Sequence, residues 1–248
     1  MDRRLAALLA ALLVATAGCA ALTDDAPERV APGVTADRVV DVAALRAAHL
    51  DALRNDSVTV NAVYVQRVKH ESYTYRIAHD ETARIGADWE RFAAVDRVTG
   101  HGKGGDFAYT RAVFSNGTAV FTMTRNATGA RYERHAAGEF PYGAANVTEA
   151  FRLGALEGAN VTEAFTDDGA RWFRLRSAET TRTAAGNVTS EATALASETG
   201  FVKWVDGRSE GVRGPGPTRT QFHVEWVRRG TTTVETPAWV ADARNATR

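Results

Sequence analysis

The sequence predicts a single α+β domain: a strongly curved antiparallel sheet, an incomplete barrel in meander order, packed on two helices. Three observations lead to this prediction. Apolar residues recur at every second position through most of the chain, which is typical of half-buried strands. In two other segments the apolar residues recur every three or four positions, which is the spacing of a helix. The strands come in runs that helices interrupt, which favours an antiparallel sheet with its helices on one face. A sheet of this many twisted strands has to curl, and helices inside the curl would fill it.

The first 18 residues have the three regions of an export signal. Arg3 and Arg4 precede an apolar stretch at residues 5–17, and small residues follow it. A membrane-spanning helix needs about 20 apolar residues, so this stretch is too short to remain as a span. We therefore expect residues 1–18 to be a signal peptide that is removed. The Sec and twin-arginine export routes both stay open.

The chain's one cysteine directly follows this signal. Thr16-Ala17-Gly18 before Cys19 resembles the lipobox of exported lipoproteins, and the resemblance implies that Cys19 is lipidated and becomes the new N-terminus. A chance cysteine at the end of an apolar run is the alternative. Two acyl or alkyl chains would hold the protein durably on a membrane. Residues 19–36 are predicted to be the lipidated cysteine and a flexible tether to the outer face of the cell membrane.

Seven of the eight asparagines head an Asn-x-Ser/Thr triplet, and Asn61 is the exception. Random placement would put about one there, given how often Ser and Thr occur, so the excess predicts N-glycosylation on an extracytoplasmic face. Turn preference alone could account for one or two, such as Asn116 in Ser115-Asn116-Gly117. The predicted glycosylation sites are Asn55, Asn116, Asn126, Asn146, Asn160, Asn187 and Asn245.

The folded domain is predicted at residues 37–243, with a frayed tail at 244–248. A helix at 39–53 carries apolar residues at helical spacing and has Asp41 near its start. A second helix is predicted at 147–156, where Asn146 and Glu149 have the spacing of a capping box. Trp239 is expected to dock on the sheet. The predicted strands lie at residues 57–64, 72–77, 83–89, 92–98, 107–114, 118–124, 131–134, 163–165, 172–176, 188–196, 201–205 and 220–227.

Composition and spacing argue against several functions. Lys and Arg number 30 and Asp and Glu number 30, so the chain lacks the net positive charge on which nucleic-acid binding rests. The segment 100–105 matches G-x-G-x-x-G, but no helix follows, so it reads as a flexible loop. Asp167-Asp168 precedes a glycine, as a hairpin turn requires. The six histidines lack metal-ligand spacing and no nucleophile motif is present, so we expect no catalytic residue, metal or cofactor.

Aromatic and aliphatic side chains share consistent strand faces in several of the predicted strands. They either fill a core against the helices or line a cavity for an apolar ligand, and the sequence alone favours the core. The candidate cavity residues are Tyr73, Tyr75, Ile77, Phe107, Tyr109, Phe222, Val224 and Trp226.

The order of lipobox, tether, helix, strand meander, mid-chain helix and further strands resembles the LolA/LolB/LppX-like lipoprotein carriers. The Arg-rich, Lys-poor composition, Tyr132-Glu133-Arg134 and the segment 233–240 are similar to haloarchaeal secreted lipoproteins. The resemblance implies a membrane-anchored envelope lipoprotein that carries a lipid-like apolar ligand. The alternative is a structural or protein-interaction module of the cell surface, whose partner is another envelope component. A cavity open to solvent would favour the first, and a filled interior the second.

Overall fold

The computed structural model describes residues 28–54, 56–139, 146, 148–213 and 216–247. The helices are α1 (Val42–Leu53), a 3-10 helix (Ala150–Leu156) and α2 (Trp239–Ala246). The strands are β1 (Arg29–Ala31), β2 (Val34–Thr35), β3 (Val58–Lys69), β4 (Thr74–Ile85), β5 (Arg91–Gly102), β6 (Gly105–Asn116), β7 (Ala119–Asn126), β8 (Gly129–Ala136), β9 (Asn160–Asp167), β10 (Ala170–Thr183), β11 (Gly186–Ser197), β12 (Val202–Arg213) and β13 (Gly216–Val227).

Eleven strands form one antiparallel sheet in the order β8-β7-β6-β5-β4-β3-β13-β12-β11-β10-β9. Two meanders, β3 to β8 and β9 to β13, join where β13 pairs with β3. Within the described residues β8 and β9 remain the two edges, so the curved sheet is not closed into a barrel. This order confirms the predicted antiparallel meander. The alternation of apolar and polar residues in the sequence predicts these strands because successive side chains of a strand point to opposite faces.

We call the face that carries α1 and the 3-10 helix the inner face. At the α1 end of this face the core is filled by large side chains that solvent does not reach. Leu45 and Leu53 of α1 pack there with Trp226 of β13, and Leu153 and Leu156 of the 3-10 helix belong to the same cluster. This half of the interior therefore has no room for a ligand.

The opposite, outer face carries α2, a third helix that the sequence pattern does not predict. Phe114 and Phe121 point to the outer face from β6 and β7, and α2 covers them with Val240 and Ala243. Trp239 lies half-buried against this cluster, so its predicted docking on the sheet is observed. Without α2, these large apolar side chains would be exposed to solvent, and α2 shields them from it.

The folded part begins and ends outside the predicted limits of 37 and 243. Residues 29–35, assigned to the tether, form the β1–β2 hairpin, and Ala31, Val34 and Thr35 are buried in it. At the other end, α2 continues into the predicted tail as far as Ala246. Short apolar segments such as these give little signal in a sequence because they are buried by contacts with distant parts of the chain.

Several elements differ from the predicted ones in length or type. Residues 74–77 and 83–85 belong to one strand, β4, which begins two residues later than predicted, and Trp89 lies in the following turn with φ +59°. The supposed glycine loop is a tight hairpin in which Gly102 pairs with Gly105. The mid-chain helix is a 3-10 helix preceded by Glu149 at φ +53° with no side-chain cap. The Asp167-Asp168-Gly169 turn is confirmed, with positive φ at both residues of the loop.

Candidate functional site: a groove on the inner face

Three charged residues form a row across the middle of the inner face. Glu81 of β4 pairs directly with Asp96 of β5, and Asp96 pairs with Arg111 of β6. Directly paired residues point to the same face, so three charged side chains follow one another beside the buried apolar pair Ala83 and Ala94. Two like charges directly opposite each other destabilise a sheet. The fold does not need this arrangement, so the row marks a candidate site.

The segment around the 3-10 helix lies over part of the inner face and is held at both ends. Trp226 Nε1 donates a hydrogen bond to the Thr148 carbonyl at 2.7 Å, and Ser177 Oγ donates one to the Ala155 carbonyl at 2.7 Å. Between these two points the helix packs on α1 and on β10, β11 and β12. The segment thereby brings Glu149 to the side of the charged row.

Two of the carboxylates in the groove have a basic partner. Asp96 Oδ2 lies 3.0 Å from His79 Nδ1, and Glu149 Oε2 accepts a hydrogen bond from Arg152 Nε at 3.1 Å. The second oxygen of Asp96, Oδ1, is buried without a hydrogen-bond partner among the described residues. An unpartnered buried oxygen is costly, which is characteristic of sites that await a ligand or a proton.

Burial disfavours the charged form of two acids in this cluster. The pKa of Glu81 is raised from 4.5 to about 7, first by burial, then by the negative charges of Glu149 and Asp96. Burial also raises the pKa of Glu149, although the Arg152 guanidinium works against it. Near neutral pH the Glu81 carboxyl is therefore partly protonated and can donate a hydrogen bond. Glu149 further holds a left-handed backbone conformation, which costs a non-glycine residue free energy and clusters at functional sites.

A cavity of about 440 Å³ opens beside this cluster, between strands β4 to β7 and the segment before the 3-10 helix. Its body is lined by apolar groups, and its polar groups include the charged row and Glu149. Phe151 lies at its edge with 48% of its surface exposed. The described lining is Glu81, Ala94, Asp96, Arg111, Ala112, Val113, Thr122, Met123, Thr124, Asn146, Glu149 and Phe151.

Two further hollows continue this cavity across the inner face. One of about 210 Å³ shares Glu81 and Glu149 with it, and this hollow in turn shares Tyr64, Arg152 and Phe222 with one of about 620 Å³ over β10 to β13. We call the three together the inner groove. Its apolar end is the 440 Å³ cavity, and its 620 Å³ end is lined mostly by polar residues.

Arg152 occupies the middle of the inner groove among aromatic rings. Its guanidinium carbon lies 4.6 Å from the ring centre of Phe151, 5.1 Å from Tyr64 and 5.3 Å from Phe222. These cation-π contacts and the ion pair with Glu149 fix the position of the side chain. The guanidinium of Arg152 is thus engaged in contacts with Glu149 and with the three rings.

Two aromatic rings of the inner face lie across glycines of the neighbouring strand. A Cβ atom at Gly100 would lie 2.1 Å from Phe107 Cζ, and one at Gly207 would lie 2.1 Å from Phe222 Cε1. Only glycine leaves space for a ring in this position. The rings of Tyr75, Phe107 and Tyr109 also stack in a row, with centroids 6.3 and 6.5 Å apart. Because the glycines have no side chain, these rings can lie flat against the inner face of the sheet.

The residues predicted as an apolar cavity separate into three groups. Val224 and Trp226 are buried in the filled core, although Val224 also reaches the 210 Å³ hollow. Tyr75, Ile77, Phe107 and Tyr109 point to the inner face and are half-buried, but they do not line the 440 Å³ cavity. Phe222 lines the groove beside Arg152, while Tyr73 stacks on His70 at the β3–β4 turn.

The sequence pattern did not single out the charged residues of the groove. One sign of the site is nevertheless present in the sequence of β4. Glu81 falls in the alternating series of positions that also contains Ile77, Ala83 and Ile85. A charged residue at a core-facing position of a strand is unusual. The pairing of Glu81 with Asp96 depends on strand register, which one sequence does not give.

The predicted modification sites are all exposed where the structure describes them. Asn116, Asn126, Asn146, Asn160, Asn187 and Asn245 are exposed, whereas Asn61, which heads no triplet, is half-buried. The Asn61 amide donates to Glu225 Oε1 at 2.8 Å. Cys19 and Asn55 lie outside the described residues. No helix in the described ranges is long and apolar enough to cross a membrane, and no cluster of metal-ligating side chains occurs in them.

No protein-family model matches the chain, and no curated protein does. Several solved structures resemble it. LprF from Mycobacterium bovis is 11% identical, with 78% of this chain and 95% of that one covered and a TM-score of 0.40. A DUF1329 family protein from Desulfovibrio piger is 10% identical over 80% and 96%, with a TM-score of 0.28. A putative outer membrane lipoprotein-sorting protein domain from Vibrio parahaemolyticus is 8% identical over 82% and 97%, also at 0.28. At these values the ligand and function have to be argued from the groove itself.

Proposed function

We propose that this protein is an exported, membrane-anchored and N-glycosylated protein of the cell envelope that binds a lipid-like amphipathic ligand in the inner groove. The observation that carries the proposal is the 440 Å³ cavity, whose apolar body adjoins a cluster of charged groups. Ligand pockets typically measure about 300–1,000 Å³ and combine apolar walls with a few convergent polar groups. An apolar chain would occupy the cavity, and a polar headgroup would lie at the charged row.

The distribution of open and filled space supports a ligand more than a purely structural role. The α1 end of the inner face is filled, as a structural or interaction module would require, and this half stabilises the domain. The other half keeps an apolar hollow and a half-buried acid pair, which cost stability and have no use in such a module. Cavities that serve no purpose tend to be filled, because each one reduces packing.

The proposal is tested with N-phenyl-1-naphthylamine, an uncharged apolar fluorophore whose emission rises in apolar sites. We expect the purified full chain to bind it and Val113→Trp, which fills the cavity, to weaken binding at least tenfold. The matched control is Val40→Trp, because Val40 has 49% of its surface exposed and does not line the inner groove. Thermal unfolding of both variants verifies that they fold. Absence of binding, or equal binding to all three proteins, would overturn the proposal in favour of the interaction module.

Anchoring and glycosylation are tested by the mass of the protein extracted from its own membranes. We expect a chain that starts at a lipidated Cys19 and carries sugar at several of the exposed asparagines. Cys19→Ser should move the protein from the membrane fraction to the soluble one, because the two chains supply the anchoring. A wild-type chain with an unmodified Cys19 contradicts the anchor, and an intact mass without sugar contradicts glycosylation.

A further inference from the structure

Arg111 differs from Arg152, which pairs with Glu149, in having no acidic partner among the described residues. It lines the 440 Å³ cavity from β6. Among the described residues no carboxylate oxygen lies within 4.0 Å of its guanidinium nitrogens, although Asp96 is its direct neighbour on β5. The guanidinium instead lies over the ring of Tyr109, 4.9 Å from its centre, and points along its own strand.

Around the 440 Å³ cavity, Asp96 contacts His79 and Glu149 pairs with Arg152, while burial disfavours the charged form of Glu81. Arg111 is therefore a cation at the apolar cavity whose guanidinium no described carboxylate engages in an ion pair. The stacking on Tyr109 holds it in place, so little side-chain freedom is lost when it binds an anion.

We propose that Arg111 recognises the anionic group, a carboxylate or a phosphate, of an amphiphile whose apolar chain fills the cavity. A planar guanidinium binds both groups with two parallel hydrogen bonds. The chain would lie along Ala94 and Val113 beside Phe151, with the anion at the cavity edge where Arg111 is exposed to solvent. This inference rests on the proposed function and adds the chemical class of the headgroup.

The test measures how well amphiphiles of one chain length displace N-phenyl-1-naphthylamine from the purified full chain. The set is dodecanoate, dodecyl phosphate, dodecanol and dodecyltrimethylammonium. We expect at least one of the two anions to bind about tenfold more tightly than dodecanol and more tightly still than the cation, as for a charge-assisted hydrogen bond. Whichever anion binds better identifies the headgroup as carboxylate or phosphate.

Arg111→Gln should remove about tenfold of that anion's affinity and leave dodecanol unchanged, while Arg111→Lys should keep part of the preference. The matched control is Arg125→Gln, because Arg125 lies exposed on the outer face of the adjacent strand β7. Equal affinities of the wild type for the anions and the alcohol would overturn the inference. An equal loss of affinity for all four compounds in Arg111→Gln would do the same. In both cases binding of the fluorophore would still support a ligand site in the inner groove. Failure of the fluorophore itself to bind would overturn both.

Discussion

Glu81 of β4 and Asp96 of β5 lie directly opposite each other on the inner face of the sheet. Glu149 adds a third acid from the segment over the sheet, and its negative charge helps to raise the pKa of Glu81. A sheet that only had to fold would place apolar residues at these positions, as it does at Ala83 and Ala94 one pair away. The acids therefore point to a groove that is kept polar at one end.

Replacing Glu81 should change how stability depends on pH. Its pKa in the folded protein, about 7, lies above its ordinary 4.5, so the stability it contributes is full below pH 4.5 and is lost as the pH rises through 7. Glu81→Gln should remove this loss and raise the free energy of unfolding at pH 8 by about 2 kcal/mol. Urea unfolding from pH 4 to 8 measures it, with exposed Glu235→Gln as the control. An unchanged pH profile in Glu81→Gln would contradict the account.

His49 of α1 should give the opposite pH dependence. Its Nδ1 accepts a hydrogen bond from the Val202 amide at 3.1 Å, and burial, followed by the charge of Arg229, lowers its pKa to about 3. The stability it contributes is present above its ordinary pKa of 6.5 and is lost as the pH falls towards 3. His49→Leu should cost about 1–3 kcal/mol at pH 7, because the Val202 amide loses its acceptor. Between pH 6.5 and 4, the free energy of unfolding of His49→Leu should fall less than that of the wild type. An equally steep fall in both proteins would contradict a buried neutral His49.

The ring of Phe107 over Gly100 should make any side chain at residue 100 costly. Gly100→Ala places a Cβ atom where Phe107 Cζ lies, so we expect a loss of about 1–3 kcal/mol in the free energy of unfolding. In Gly100→Ala/Phe107→Ala the clash is absent, so the double variant should be more stable than the sum of the single effects predicts. Denaturant unfolding of the four proteins gives the coupling. Strict additivity would mean that the ring does not need the glycine.

Phe151 should contribute to ligand binding without contributing to stability. It lies at the cavity with 48% of its surface exposed, so the folded protein gains little from it. A chain entering the cavity would cover this ring, and Phe151→Ala should weaken fluorophore binding about fivefold with an unchanged melting temperature. Val40→Ala is the control, since Val40 is 49% exposed and does not line the cavity. Equal affinities of Phe151→Ala and Val40→Ala would exclude Phe151 from the binding site.

Most of the sheet could be predicted from the sequence, because alternation of apolar residues over many strands reports directly which face is buried. Helix α1 is predicted to within three residues at its start, where the side chain of Asp41 caps Ala44 N at 2.9 Å. The position of α2 was beyond the pattern. Its eight residues contain only two large apolar side chains, Trp239 and Val240, and the Phe114 and Phe121 pair on the outer face explains why Val240 and Ala243 are buried.

The groove could be predicted only in part. Phe222 was identified by its place on an apolar strand face, and it does line the groove. Arg111, Asp96 and Glu81 stand at inner-face positions that the alternation alone would assign to apolar residues, and their proximity depends on the registers β4–β5 and β5–β6. The space that forms the cavity depends on Glu149 and Phe151, and Trp226 holds the neighbouring Thr148 in place.

Ligand binding in the inner groove is best measured as the mass of the protein in mild detergent, after purification from its own membranes. Native mass spectrometry before and after extraction with organic solvent should show a noncovalent adduct that the solvent removes. Val113→Trp, purified in the same way, should lack that adduct while keeping the same covalent mass apart from the substitution. A wild-type protein without a removable adduct, or an adduct retained equally by Val113→Trp, would contradict ligand binding in the inner groove.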